Sequence, residues 1–72
     1  MKHYDVELKY QTKLRKGKLE FWTTDIEAKS INDAINIAIK RLIKYYYDWF
    51  LLKIKTSDVN ITEVKCERRS RW

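Results

Sequence analysis

Lysine and arginine outnumber the acidic residues of this 72-residue chain. It has 16 Lys and Arg against 10 Asp and Glu, which gives a formal net charge of +6. Clustered cations on a small domain can bind phosphates through counterion release, without reading a base sequence. The segments 13–18 and 53–55 hold the cations that we predict to contact phosphates: Lys13, Arg15, Lys16, Lys18, Lys53 and Lys55.

Five aromatic side chains occur within the six positions 45–50. By the helical wheel, Tyr45, Tyr46, Trp49 and Phe50 lie on or beside the apolar stripe, so we expect them in the core. Tyr47 points away from that stripe and is predicted to be an exposed contact residue. The chain has no helix-turn-helix, zinc-finger or GxxG pattern, so nucleic-acid binding would rest on charge and aromatic contacts alone.

Conventional catalytic and metal-binding groups are scarce. His3 and Cys66 are the only nucleophile–base pair of the usual type, and nothing in the sequence orients the imidazole. One histidine and one cysteine cannot complete a zinc site, and no glycine-rich loop is present to hold a nucleotide. We therefore expect a buried, inert Cys66, no catalytic activity, no metal and no cofactor.

The composition predicts one folded domain over residues 1–72. Hydrophobic residues make up 44% of the chain, with no proline and one glycine, which argues against disorder. The lone cysteine cannot form an intramolecular disulfide, and neither a signal peptide nor a membrane span is recognisable. We expect a cytoplasmic protein that makes no membrane contact, with a basic tail over residues 69–72 that frays.

Two strands and a tight turn are predicted in the first part of the chain. Residues 3–14 alternate between polar and apolar, as in a strand with one buried face. Gly17 lies in the hairpin turn that follows. The second strand, 18–29, is less regular: either a bulge shifts its phase near Phe21, or Leu19 and Phe21 lie on the outer face and offer a binding surface.

A helix and a third strand are predicted in the second part. Ser30 is the expected N-cap of a helix over residues 31–50, whose apolar residues recur with helical spacing. Residues 59–68 are rich in β-branched side chains and form the third strand, with a bulge expected near Thr62 or Glu63.

The element order β-β-α-β predicts an α+β two-layer sandwich. A right-handed crossover makes strand 3 parallel to strand 2, and strand 3 then pairs beside strand 1. The result is a three-stranded antiparallel sheet of order 2-1-3, with the helix packed on one face. In this topology the helix ends beside the hairpin turn, so the six cations are expected to converge there, with Asp58 as the nearest acid.

Two functional hypotheses follow from the sequence. The first is a small, non-catalytic protein that binds DNA or RNA phosphates through the basic end of the sheet. The alternative is a protein-interaction module, such as a phage or mobile-element modulator of a host protein, or a homodimer. Leu19 and Phe21 are its candidate interface residues.

Overall fold

The computed structural model describes residues 1–69. Three strands form one sheet of order β2-β1-β3, both outer strands run antiparallel to β1, and one helix packs on one face. This confirms the predicted fold class and strand order. The elements in chain order are β1 (Lys2–Thr12), β2 (Glu20–Ala28), α1 (Ile31–Phe50), a short 3₁₀ turn (Thr56–Asp58) and β3 (Val59–Arg68).

The central strand, β1, supplies one row of the core. Its alternating pattern places every second side chain against the helix and the others on the open face, because successive side chains of a strand point to opposite sides. The buried row consists of Tyr4, Val6, Leu8, Tyr10 and Thr12. Ile26 and Ala28 of β2 extend this row.

The hairpin turn is longer than predicted. β1 ends at Thr12, two residues early, and Leu14 is exposed in the turn instead of lying on the core face. Gly17 has φ +77°, a left-handed conformation that glycine adopts without steric cost. β2 therefore begins at Glu20 instead of residue 18.

β2 pairs with β1 without interruption, so the bulge considered near Phe21 is wrong. The alternative is right for Phe21, which lies opposite Lys9 on the open face of the sheet and is 60% exposed. The lysine amine lies 5.0 Å from the centre of the phenyl ring, which gives this exposed aromatic a cation–π contact. The alternative is wrong for Leu19, which precedes β2 and lines a groove beside the helix.

β3 contains the predicted bulge. Lys9 pairs with Glu63, whereas the next residue, Tyr10, pairs with Ile61, so Thr62 is the extra residue. The Thr62 hydroxyl donates a hydrogen bond to the Lys9 carbonyl, with an O···O distance of 3.0 Å. The side chain thus compensates for a ladder interaction that the bulge interrupts.

The helix begins and ends where the sequence predicts. The Ser30 hydroxyl accepts a hydrogen bond from the Asp33 N–H at 3.2 Å, and Leu51, with φ +54°, ends the helix in the left-handed region. Among residues 1–69, no helix has both the length and the apolar character needed to cross a membrane. The side chains buried against the sheet are Ala34, Ala38, Leu42 and Tyr46.

Candidate binding surface at the hairpin end

Two separate segments meet at one end of the sheet. We call residues 13–20 and 51–58 together the hairpin end. The Lys13 backbone N–H donates to the Asp58 carbonyl at 3.2 Å, and the Lys13 ammonium lies 3.4 Å from an Asp58 carboxylate oxygen. The structure therefore brings residues 55–58 against the turn. The prediction that Asp58 is the nearest acid omits Glu20, whose carboxylate lies 3.1 Å from Arg15.

Cations outnumber carboxylates at the hairpin end. Six Lys and Arg side chains face two acids, Glu20 and Asp58, which leaves a surplus of four positive charges. Lys13 pairs with Asp58, and Arg15 lies 3.1 Å from Glu20. The remaining four lysines have no carboxylate within 4.0 Å among the described residues: Lys16, Lys18, Lys53 and Lys55.

Asp58 is fixed by hydrogen bonds as well as by charge. Its carboxylate accepts the Lys55 backbone N–H at 2.8 Å. That hydrogen bond and the nearby Lys13 ammonium hold the pKa of Asp58 below its usual value. Asp58 therefore stays ionised and partly neutralises the cations around the turn.

The aromatic run of the helix divides into a packed part and an exposed part. Tyr47 is 46% exposed, as predicted, and the Lys53 amine lies 5.9 Å from its ring centre. The prediction that Trp49 and Phe50 are core residues is wrong, because they are 74% and 54% exposed. Tyr46 already reaches the first residue of β2, so the following helical turn extends past the start of that strand.

An apolar groove lies between the hairpin and the C-terminal turns of α1. Its volume is about 550 Å³, and no pattern in the sequence predicts it. Leu19, one of the candidate interface residues, is part of its lining. We define the groove by its principal apolar lining residues: Leu14, Leu19, Trp22, Tyr45, Phe50 and Leu52.

A chain of hydrogen bonds forms the polar wall of this groove. The Tyr46 hydroxyl donates to Glu20 at 2.9 Å, the Tyr10 and Tyr46 hydroxyls are 3.0 Å apart, and Arg15 donates to Glu20 at 3.1 Å. Burial raises the pKa of Tyr46 far above its usual value, and the bonds to Tyr10 and Glu20 act in the same direction. The sequence held one signal of this network: Glu20 has the same strand phase as the inward-facing Trp22.

One polar atom in the groove wall lacks a partner. Thr12 is 5% exposed, and its hydroxyl oxygen is fully buried with no hydrogen-bond partner among the described residues. A buried hydroxyl without a partner costs free energy, because it loses its bonds to water on folding.

Charges at the opposite end of the sheet are paired with one another. The Arg69 guanidinium lies 3.3 Å from Asp25 and 4.0 Å from Asp5, and the Arg69 backbone N–H donates to the His3 carbonyl at 2.8 Å. These contacts hold Arg69 against β1. The rest of the segment predicted to fray, residues 70–72, lies outside the described residues.

His3 and Cys66 lie on opposite faces of the sheet. The His3 ring nitrogen Nδ1 is 4.0 Å from an Asp25 carboxylate oxygen on the open face. Cys66 pairs with Val6 and is partly buried against the core, where burial raises the pKa of its thiol. The geometry does not join the two into a nucleophile–base pair.

Comparisons with protein-family models, with curated proteins and with solved structures found no match to this chain.

Proposed function

We propose that this protein binds DNA or RNA, without catalysing a reaction, through the hairpin end. The supporting observation is the surplus of four positive charges there, carried by lysines that have no carboxylate partner among the described residues. Unpaired surface cations on a compact domain attract the phosphate backbone, and the released counterions supply the free energy.

The phosphate contacts would come from both segments of the hairpin end. Lys16 and Lys18 extend from the turn, and Lys53 and Lys55 from the segment after the helix. Tyr47 lies beside Lys53 and is exposed enough to stack on a base. Lys13 and Arg15 contribute less, because each already has a carboxylate within ion-pair distance.

Binding to mixed-sequence DNA and RNA oligonucleotides at several salt concentrations tests this proposal. With about four phosphates neutralised, the slope of log affinity against log salt is expected to be about −3 to −4. The double substitution Lys16→Glu/Lys53→Glu should weaken binding by at least about tenfold at low salt and reduce the slope.

The matched control is Lys2→Glu/Lys29→Glu, which changes the net charge equally at the opposite end. Both of these lysines are exposed, and residue 2 pairs with residue 28 at the far end of the hairpin. This control should weaken binding by less than about threefold, since only distant charge is altered. Equal loss in the two variants, or no binding of either nucleic acid at low salt, would contradict the proposal.

A further inference from the structure

Phosphate binding by the lysines of the hairpin end does not account for the apolar side chains exposed there. Within the groove, Leu52 is 40% exposed and Phe50 is 54% exposed. Trp49, on the last turn of the helix, is 74% exposed, and its ring centre lies 6.3 Å from that of the groove residue Tyr45. Exposed apolar side chains gathered in one groove of a small domain mark an interaction site.

The charges around the groove indicate the sign of the net charge on its partner. Arg15 and Lys18 are part of the lining, and Arg15 uses one of its N–H groups on Glu20. Its other N–H groups can donate to a second carboxylate. With the surplus of four cations at this end, complementarity favours an apolar segment that carries acidic residues.

A second copy of this chain fits the groove less well. It would bring two surpluses of four positive charges together, and like charges at an interface cost free energy.

Nucleic acid also fits the groove poorly, although it suits the lysines around it. Bases bind proteins by stacking on free aromatic faces. The three aromatic side chains that define the groove already pack against one another, and the other three offer only aliphatic surface: Leu14, Leu19 and Leu52. Aliphatic side chains in a groove are instead typical of sites that receive the apolar face of a helix.

We propose that the apolar groove docks an amphipathic acidic segment of a partner protein. Apolar side chains of the segment enter between Leu19 and Leu52, and its carboxylates meet Arg15 and Lys18. This inference goes beyond nucleic-acid binding, because it assigns a second ligand to the groove, which shares only Arg15 and Lys18 with the proposed phosphate contacts.

Selection from a random peptide-display library tests the proposal even though the partner is unidentified. The selected peptides should be enriched in leucine or aromatic residues at helical spacing and should be net acidic. A synthetic peptide of that sequence should shift the backbone NMR signals of Leu19 and Phe50. Replacing its acidic residues with lysine should weaken binding by at least about tenfold.

Two neighbouring leucines supply the matched variants. Leu52→Asn alters the groove and should weaken peptide binding by at least about tenfold, whereas Leu51→Asn, outside the lining, should change it by less than about threefold. Neither substitution changes the net charge, and asparagine tolerates the left-handed backbone at position 51. Circular dichroism should show that both variants stay folded.

Several results would overturn the proposal. These are enrichment of basic or featureless peptides, NMR shifts confined to residues away from the groove, and equal effects of the two leucine variants. If sedimentation shows a dimer that dissociates in Leu52→Asn, the occupant of the groove is a second copy of this chain. If Leu52→Asn abolishes oligonucleotide binding, the occupant is a nucleic acid. The charge reversal at Lys16 and Lys53 tests nucleic-acid binding separately, so either proposal can fail alone.

Discussion

The two halves of the helix–sheet interface are built from side chains of different size. Every fourth residue of α1 is buried against the sheet, and these side chains change from small to large toward the C-terminus: Ala34, Ala38, Leu42 and Tyr46. The first three have no exposed surface, whereas Phe50, one turn beyond Tyr46, is 54% exposed. Alanine lets a helix approach a sheet closely, and a large aromatic side chain holds it away.

This difference separates the part that maintains the fold from the part that is available for binding. In the N-terminal half, Ala34 and Ala38 allow the helix to close over β1 and β2, and both alanine side chains are fully buried. In the C-terminal half, Tyr46 and Phe50 form one wall of the groove. Stability should therefore depend mainly on the first half and ligand binding mainly on the second.

Substitutions at residues 42 and 50 test that division most strongly. Leu42→Ala removes a fully buried side chain and should lower the free energy of unfolding by about 3 kcal/mol, which is a large part of the total for a domain of this size. Phe50→Ala removes ring contacts with Tyr45 and Tyr46 and should cost about 1 kcal/mol. Urea denaturation of both variants gives the two values.

The same urea denaturation can contradict the division of the interface into a stabilising half and a binding half. If Phe50→Ala destabilises the protein as much as Leu42→Ala, the C-terminal half is part of the core and the groove closes in solution. A Phe50→Leu variant serves as the control, because it keeps apolar volume while removing the aromatic contacts. Its free energy of unfolding should lie between those of the wild type and Phe50→Ala.

The sequence predicted the N-terminal half of this interface better than the C-terminal half. Periodicity and the Ser30 cap determine the helix bounds, and alternation determines the buried face of β1. The exposure of Trp49 and Phe50 could not be read in this way, because a helical wheel gives direction but not the point where the sheet beneath ends. That point depends on the length of the turn between β1 and β2.

The candidate site could also be predicted from the sequence only in part. Clustering of Lys13 with residues 55–58 follows from topology, which the element order determines. The hydrogen-bond chain from Tyr10 through Tyr46 to Glu20 depends on where the helix crosses the sheet, which no local pattern encodes. Only the inward phase of Glu20 hinted that a buried partner was needed.

Tyr46 lies where the two halves of the interface meet, and removing its hydroxyl should lower the free energy of unfolding by an intermediate amount. Tyr46→Phe keeps the ring but removes the donor to Glu20 and the partner of the Tyr10 hydroxyl. Because that leaves the Tyr10 hydroxyl buried without its bond, the free energy of unfolding at neutral pH should fall by about 1 to 2 kcal/mol. Tyr47→Phe, at an exposed position, should change it by less than about 0.5 kcal/mol.

The pH dependence of stability distinguishes loss of the network from simple loss of packing. In the folded state, burial raises the pKa of Tyr46 above the usual value of a tyrosine, which is about 10. The unfolded chain therefore loses this proton first, and stability that is fully present below about pH 10 declines as the pH rises further. Between about pH 9 and pH 11, Tyr46→Phe should show a shallower decline than the wild type in urea denaturation. Parallel declines would show that Tyr46 does not carry the effect.

The substitution with the smallest expected effect on stability is at Thr12. Its buried hydroxyl lies in the groove wall without a hydrogen-bond partner among residues 1–69, whereas the tightly packed half buries apolar side chains. Thr12→Val keeps the shape of the side chain and removes the polar atom. The free energy of unfolding should therefore rise by about 0.5 to 1 kcal/mol.

Thr23→Val is the matched control, because Thr23 is exposed in β2 and valine has a similar preference for strands. Any gain in this variant measures strand preference alone, so the difference between the two variants isolates the buried hydroxyl. If Thr12→Val instead destabilises the protein, the hydroxyl has a partner in solution, such as a bound water molecule. The groove wall would then be hydrogen-bonded as completely as the packed half, and the contrast between the halves would rest on side-chain size alone.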